Sequence, residues 1–531
     1  MTASEPILVG GQWRETVNEL GRFQADDPRR GAPIGPHFPI SGAADIESAV
    51  TAAVAVADEL AATPAARIAD FLDTYAAAIE ADADALVALA HAETALPVEP
   101  RLRSVELPRA SGQLRQAARA VRHYAWTDPV IDTQAGLRAH RAPLGKPVLV
   151  FGPNNFPFAF NAIAGSDFAS AIAARNPVIA KAHPSHPATS QRLAQLAHRA
   201  LLASGLPTAA VQMLYHFDSA LGLALAGDAR LGAIGFTGSR ASGLALKSAA
   251  DKAGVPIYAE LSSINPVFLL PGALAERGEA LAQEFFASCV MGSGQFCTNP
   301  GVVVVPARHD GDAFIAAAIA HFAAATPKPL FSRGVQDALR SAVALLMTAG
   351  AELLAGGNVG DDEGYHYQPT LLQVDAEVFF AHADALQTEA FGPVSLLVRA
   401  ADAGVMAKIA AALEGNLTGT IYRAGNGGDD DAWAVIAPVL RRKVGRLIAD
   451  KMPTGVAVSP AMNHGGPYPS TSHPGFTSVG MPAAIHRFTA LHSYDNVPDA
   501  LLPIELRNQN VIGIQRRVDG HWTERDIGDG A

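Results

Sequence analysis

Val148-Leu149-Val150-Phe151-Gly152-Pro153-Asn154-Asn155 is the stretch on which the fold turns. A short apolar run ends in a Gly-Pro-Asn-Asn loop, and a helical pattern opens at about Ala159. Pro177-Val178-Ile179-Ala180 is the next such run, followed by a helix from about Ala188 to Leu202. The alternation continues through Val211-Gln212-Met213-Leu214-Tyr215 and Leu231-Gly232-Ala233-Ile234-Gly235-Phe236, and it ends at Pro256-Ile257-Tyr258-Ala259-Glu260. Short apolar strands alternating with helices predict a parallel sheet covered on both faces. In such sheets ligands bind in the crevice beyond the carboxyl ends of the strands. Asn154-Asn155, Lys181, Thr237-Gly238 and Glu260 all fall at those ends, which points to a nucleotide site.

Upstream, from about Ile46 to Tyr124, the pattern is Ala-rich and helical, with Ser41 and Asp45 as N-cap candidates. Between Asp128 and Pro147 the periodicity weakens, and the chain is expected to leave the core. A second run of strands and helices, from Asn265 to about Arg446, carries Cys297 and Glu389. The chain is Gly/Pro-rich from Pro453 to Pro474 and reads as irregular after Arg487, as an arm or assembly element would.

The 531 residues exceed one compact core, so two or more domains are expected. Hydrophobic residues at 49% against 17% charged exclude a disordered chain. A net charge of -11, with no dense Lys/Arg run, argues against a nucleic-acid partner. Two cysteines exclude a disulfide framework, and without a CxxC or Cys/His cluster no metal is expected. Neither a signal peptide nor a membrane-spanning apolar run is visible, so no membrane partner and a cytoplasmic location are expected.

One of the two cysteines stands in Gly292-Ser293-Gly294-Gln295-Phe296-Cys297-Thr298-Asn299-Pro300, between a helical apolar run and the strand-like Val302-Val303-Val304-Val305. A cysteine in a small-residue turn at an element end can act as a nucleophile if its thiol ionises. Cys289, inside the apolar run, reads as a small buried hydrophobe.

Asn155-Phe156-Pro157, Lys181, Gly235-Phe236-Thr237-Gly238-Ser239, Glu260-Leu261, Gly294-Gln295-Phe296-Cys297 and Glu389-Ala390-Phe391-Gly392-Pro393 occur in that order. This succession resembles the aldehyde dehydrogenase superfamily and covers nearly the whole chain. Five further segments resemble the NADP-dependent ketoglutarate semialdehyde (2,5-dioxovalerate) dehydrogenase branch, which also contains a fatty aldehyde dehydrogenase. They are Lys181-Ala182-His183-Pro184, Ser262 to Pro271, Cys297-Thr298-Asn299-Pro300-Gly301, His464-Gly465-Gly466-Pro467 and Asp499-Ala500-Leu501-Leu502-Pro503.

The resemblance implies an α/β fold of two parallel-sheet domains, a Rossmann-like cofactor domain and a catalytic domain, plus a small β oligomerisation element. It divides the chain into residues 1–127 and 148–261 for the dinucleotide, 262–475 for catalysis, and 128–147 with 487–531 for assembly as a homodimer or homotetramer. Cys297 would attack an aldehyde and form a thiohemiacetal, with the Asn155 amide and the Cys297 backbone N–H holding the oxyanion. Hydride would pass to a nicotinamide dinucleotide, and Glu260 would activate water to release the acid, a role that favours a raised pKa.

For the cofactor, Gly235, Gly238 and Gly243 resemble the family's phosphate-approach turn, with Thr237 beside it and Ser239 opening the next helix. Glu389 would meet the nicotinamide ribose, with Phe391 nearby. Many NAD-preferring relatives carry a glutamate three residues after the lysine, where this chain has Pro184 between His183 and Ser185. That substitution favours NADP, with NAD as the alternative, and Lys181, His183 and Ser185 around the 2′-phosphate. His216-Phe217-Asp218, Asp450-Lys451-Met452 and Asn463 depart from the family pattern on the adenine side and near the expected substrate mouth.

A semialdehyde carrying a distal carboxylate needs a cation, and Arg109 and Arg115 are candidates on the entry helix, with Phe158 and Phe160 as the opposite wall. A medium- or long-chain aldehyde would need an apolar tunnel instead. A non-catalytic scaffold is the reading from another class, and Cys297, Glu260 and Asn155 together speak against it.

Overall fold

Five parallel strands lie side by side in the order Ile257–Glu260, Ala233–Thr237, Val148–Phe151, Val178–Lys181 and Val211–Leu214 in the computed structural model, which describes residues 4–360 and 363–528. An antiparallel hairpin, Ile7–Val9 with Gln12–Arg14, extends this sheet at its far edge. The register aligns the carboxyl ends: Thr237 pairs with Glu260, Phe236 with Phe151, and Phe151 with Lys181. Along Val148–Phe151, Val178–Lys181 and Ala233–Thr237 every side chain is buried except the last, which emerges. Strands buried on both faces exclude polar groups until they end, so the chemistry gathers at one rim of the sheet.

Helices Ala43–Ala55, Ala65–Ala81, Ala83–Thr94, Leu107–Arg122 and Pro187–Ser204 cover this sheet. Neither residue expected to cap the first helix does so. Gly42 holds the cap position, and the buried Asp45 carboxylate accepts the N–H groups of Val17 and Asn18 and pairs with Arg14. The carboxylate serves the neighbouring loop.

A second sheet runs Glu352–Ala355, Thr370–Asp375, Val394–Ala400, Val302–Pro306, Val267–Leu269, Asn416–Tyr422 and Val444–Ala449. All its pairings are parallel except the first. The fold is therefore α/β with two parallel-sheet layers, as the alternation predicts. The long hairpin Glu19–Asp27 with Ala32–Ser41 reaches the second half, where the Tyr365 hydroxyl donates to Asp26 at 2.6 Å.

The segments without apolar periodicity form the small β element that the resemblance implies. Val130–Asp132, Leu137–Pro143, Thr489–Asp495, Arg516–Val518 and His521–Thr523 form a separate five-stranded sheet. Strands such as Leu137–Pro143 carry Arg138, His140 and Arg141, so no apolar alternation marks them. Residues 1–3, 361–362 and 529–531 of the expected divisions lie outside the described residues. No helix among the described residues is long and apolar enough to cross a membrane.

Gly294 packs directly against the backbone of Gly392. Its φ is +68°, and a Cβ there would fall 2.2 Å from the backbone of Gly392. Gly294→Ala is expected to lose at least about 2 kcal/mol through left-handed strain and overpacking. A thermal unfolding midpoint within one degree of the parent would contradict this.

Candidate active site

Three consecutive left-handed residues, Gly292, Ser293 and Gly294, turn the chain into Cys297. Left-handed backbone is costly for serine, and Ser293 is held there by its hydroxyl donating to the Pro329 carbonyl at 2.9 Å. Beyond the turn, the Asn265 amide donates to the carbonyls of Cys297 and Asn299, each at 2.9 Å. The nucleophile is thus fixed by its backbone before any substrate arrives.

Glu260, at the rim of the first sheet, and Cys297, from the second unit, meet at a third side chain. His464 Nε2 lies 3.4 Å from Cys297 Sγ and 3.1 Å from Glu260 Oε1. Ser478 donates to the other Glu260 oxygen at 3.1 Å. The strand bearing Glu260 gains a short edge from the 470–472 segment, through Leu261 N–H to the Ser470 carbonyl and Ser472 N–H to the Ala259 carbonyl, both at 2.8 Å. A thiol, an imidazole and a carboxylate in contact make a proton relay, in which a proton leaving the thiol is received by the Glu260–His464 pair.

The electrostatics of the pair oppose each other. Burial pushes the Cys297 thiol well above its ordinary value, and the Glu260 charge adds to this while Arg109 works against it. Burial alone would raise Glu260 as well. The charge of His464 and hydrogen bonds from His464, Ser478 and Cys297 outweigh it and hold the carboxyl below its usual range. The raised value expected of a water-activating base is therefore not what the site provides. Glu260 rests ionised, already able to accept a proton.

Asn155 is buried, and one N–H of its amide donates to the Gln295 carbonyl at 3.0 Å. That bond orients the side chain beside the Cys297 loop and leaves a second N–H for an oxyanion. Arg101 donates to the Asn155 carbonyl at 2.8 Å, pairs with Glu106, and lies over the rings of Phe156 and Phe296. Glu106 accepts the N–H groups of Phe158 and Ala159 at 2.8 and 3.2 Å. The Arg101–Glu106 pair clamps the Asn155 loop from below.

A cavity of about 570 Å³ runs along the rim from Lys181 and His183, past Thr237, Gly238 and Ser239, to Asn155, Glu260, Cys297, Glu389 and Phe391. Its dimensions and donor set fit a dinucleotide. Ser239 caps helix Arg240–Ala253, whose first turn opens on the cavity with its N–H groups, a setting that suits a pyrophosphate. Burial lowers Lys181 to about 8 and pushes Glu389 up to about 7. Burial also depresses His183 and, to about 4, His216, with Lys181 adding to both.

Gly243 and Ser185 stand behind the wall. A Cβ on Gly243 would meet Leu261 at 2.2 Å, so its place is helix-to-strand packing, and the Ser185 N–H donates to His183 Nδ1 at 3.1 Å.

Of the substrate candidates, two are near the site and two are not. Arg109 is half-buried, with its guanidinium over the rings of Phe156 and Phe160 at 5.5 and 4.9 Å. Its Nε and Nη2 have no hydrogen-bond partner among the described residues, and it feels the charges of Cys297 and Glu260. Phe160 joins Phe156, Phe296 and Val479 in an apolar cluster and faces the His464 ring at 5.9 Å. Arg115, on another face of the same helix, is spent on Glu80 at 2.5 Å, and Phe158 is fully buried in the core of the first unit. The departures at 450–463 are structural: Asp450 accepts the Arg423 N–H, Met452 is core, and Asn463 donates to the Gly445 carbonyl.

His464, Arg101, Glu106 and Asn265 carry no assignment from sequence. His464 stands 167 positions from Cys297 in a Gly/Pro-rich stretch, and no spacing announces it.

The aldehyde dehydrogenase family profile matches residues 13–470. The chain is 40% identical over 536 residues to alpha-ketoglutaric semialdehyde dehydrogenase 2 of Azospirillum brasilense, covering 98% of this chain and 99% of that one. It is 38% identical over 468 residues to alpha-ketoglutaric semialdehyde dehydrogenase of Acinetobacter baylyi, with 86% and 87% covered. The fold matches aldehyde dehydrogenase C of Pseudomonas syringae, solved with NAD+ and octanal, at a TM-score of 0.80 and 20% identity, covering 94% and 99%.

Alkylation of Cys297 by iodoacetamide should be slow at neutral pH and accelerate as pH rises. Glu260→Gln removes a charge that raises the thiol and is expected to shift that profile to lower pH, whereas Arg109→Met is expected to shift it higher. Identical pH profiles in the two variants would contradict the electrostatics described.

Proposed function

The chain belongs to the aldehyde dehydrogenase family, and on that premise we propose that it oxidises α-ketoglutaric semialdehyde to 2-oxoglutarate with NADP. The observation that carries the substrate is Arg109, a guanidinium with two buried, unpartnered nitrogens on the aromatic wall beside Cys297. A desolvated cation with no acceptor favours a ligand that brings a carboxylate. The names of the Azospirillum and Acinetobacter relatives agree with this reading.

In this reading Cys297 Sγ attacks the aldehyde carbon and its proton passes into the Glu260–His464 pair, with the Glu260 carboxylate as acceptor, and on to solvent before hydrolysis. The oxyanion accepts the free Asn155 N–H and the Cys297 backbone N–H; loss of one such donor costs about 3 kcal/mol of barrier. A bound nicotinamide dinucleotide supplies the hydride acceptor, with Lys181, the Gly238-Ser239 turn and Glu389 as the residues that would hold it. Once the acyl group is a thioester, Glu260 takes a proton from water, which attacks the acyl carbon and frees the thiol.

The preference for NADP rests on Lys181, His183 and Pro184 where a carboxylate would repel a 2′-phosphate. The dinucleotide is assigned to residues 1–127 and 148–261, and the nucleophile to 262–475. We assign 128–147 and 487–531 to homodimer assembly, supported by the outer strands of the five-stranded sheet, where Leu491 is 74% and Trp522 64% exposed. A monomer at micromolar concentration in sedimentation would sink that assignment. A cytoplasmic location keeps the Cys297 thiol reduced.

The apolar cluster around Phe160, with Val456, Val458 and Met462 against it, favours unbranched aliphatic aldehydes as the second reading. Initial rates separate the two. Arg109→Met should lower kcat/KM for 2,5-dioxopentanoate roughly 100-fold, the loss of a charge-assisted hydrogen bond, and change that for pentanal little. Equal losses on both, or a parent rate that climbs with chain length, would support the aliphatic reading. Lys181 loses its charge as pH rises through about 8, so the advantage of NADP over NAD should shrink between about pH 7 and 9. A constant ratio over that range would remove Lys181 from phosphate recognition.

A further inference from the structure

The proton relay is also a ligand set. One atom each from Glu260, Cys297 and His464 lie within 4.8 Å of one another, with the sulfur–nitrogen edge 3.4 Å and the nitrogen–oxygen edge 3.1 Å. Zinc bonds of about 2.0 Å to nitrogen or oxygen and about 2.3 Å to sulfur give tetrahedral edges of roughly 3.4–3.6 Å. These two edges are within a few tenths of an ångström of those values, and the third lies within 4.8 Å, so the trio is gathered at the scale of a metal site. We propose that this trio binds a thiophilic divalent cation, Zn2+ foremost, and that the bound ion reversibly shuts off the active site.

The charge balance favours occupancy. Zn2+ displaces the thiol proton to solvent and, where Nε2 carries one, that proton too. Thiolate and carboxylate then neutralise the ion, so a neutral complex replaces a buried carboxylate with a protonated thiol beside it. Thiolate and imidazole select a soft or borderline ion over Mg2+ or Ca2+. Ser478, donating to the second Glu260 oxygen, holds the carboxylate in its ligating orientation, as outer partners of zinc ligands do. Three protein ligands leave the fourth position open toward the cavity. The ion occupies the sulfur lone pair that must attack the aldehyde and the carboxylate that must accept a proton from water.

The test uses the full-length, metal-free protein and does not depend on which aldehyde it oxidises. Titration with Co2+ should give one equivalent bound, with a sulfur-to-cobalt charge-transfer band and tetrahedral visible bands that Zn2+ bleaches. Cys297→Ser should abolish the charge-transfer band, and His464→Gln should abolish the tetrahedral bands. In the parent, Zn2+ should slow iodoacetamide alkylation of Cys297 at least roughly tenfold, reversed by EDTA, a readout that needs no variant to fold. No charge-transfer band, a band that persists in Cys297→Ser, or an alkylation rate indifferent to Zn2+ would each overturn the proposal.

Discussion

The Glu260–His464 contact, 3.1 Å long and almost wholly shut off from solvent, joins the rim of the first sheet to the 464–478 segment that runs between the two units. A carboxylate at that depth is unfavourable unless partnered, and removing one member of such a pair typically costs about 3–5 kcal/mol. The partnership fixes more than a charge. It sets the imidazole against the Cys297 thiol, and it makes the sheet rim a place where a nucleophile from elsewhere in the chain can be served by a base. The Ser470 and Ser472 backbone bonds, the Ser478 hydroxyl and the Thr477 hydroxyl that accepts the His464 N–H all hold this one geometry.

Around it the chain keeps reactivity in check. The thiol is disfavoured as an anion by burial and by Glu260, so the resting enzyme holds a protonated nucleophile next to its proton acceptor. Arg109 pulls the other way, and its Nε and Nη2 have no hydrogen-bond partner among the described residues. A substrate that brings a carboxylate would satisfy Arg109 while placing its aldehyde at the sulfur. Positioning is left to rigid groups: the left-handed turn before Cys297, the Asn265 amide behind it, and the Arg101–Glu106 clamp under Asn155.

What the sequence revealed follows from where its signals are local. Lys181, Thr237 and Glu260 end apolar runs, and a buried strand shows its end by the first polar residue, so the site's rim was legible. Asn155 and Cys297 stand in loops with Gly, Pro and Asn signals beside such runs. His464 has no such neighbour, since its partners come from strands and turns far away in the chain. Arg101 and Glu106 look like a solvated helix face in sequence, but a loop closes over them. Arg109 and Arg115 share one helix, and only three-dimensional packing tells the inward one from the one spent on Glu80. The five-stranded sheet was legible through the resemblance and not through periodicity, because its contacts are remote: Glu505 reaches His140 across 365 positions.

If Cys297 carries the acyl group and Glu260 releases it, loss of the base traps the thioester. Intact-protein and peptide mass spectrometry of Glu260→Gln, mixed with 2,5-dioxopentanoate and NADP and quenched in acid, tests it directly. The trapped thioester should appear as an accumulating adduct, equal to the aldehyde less two hydrogens, on the peptide that contains Cys297. No adduct while product still forms, or an adduct confined to another residue, would contradict it.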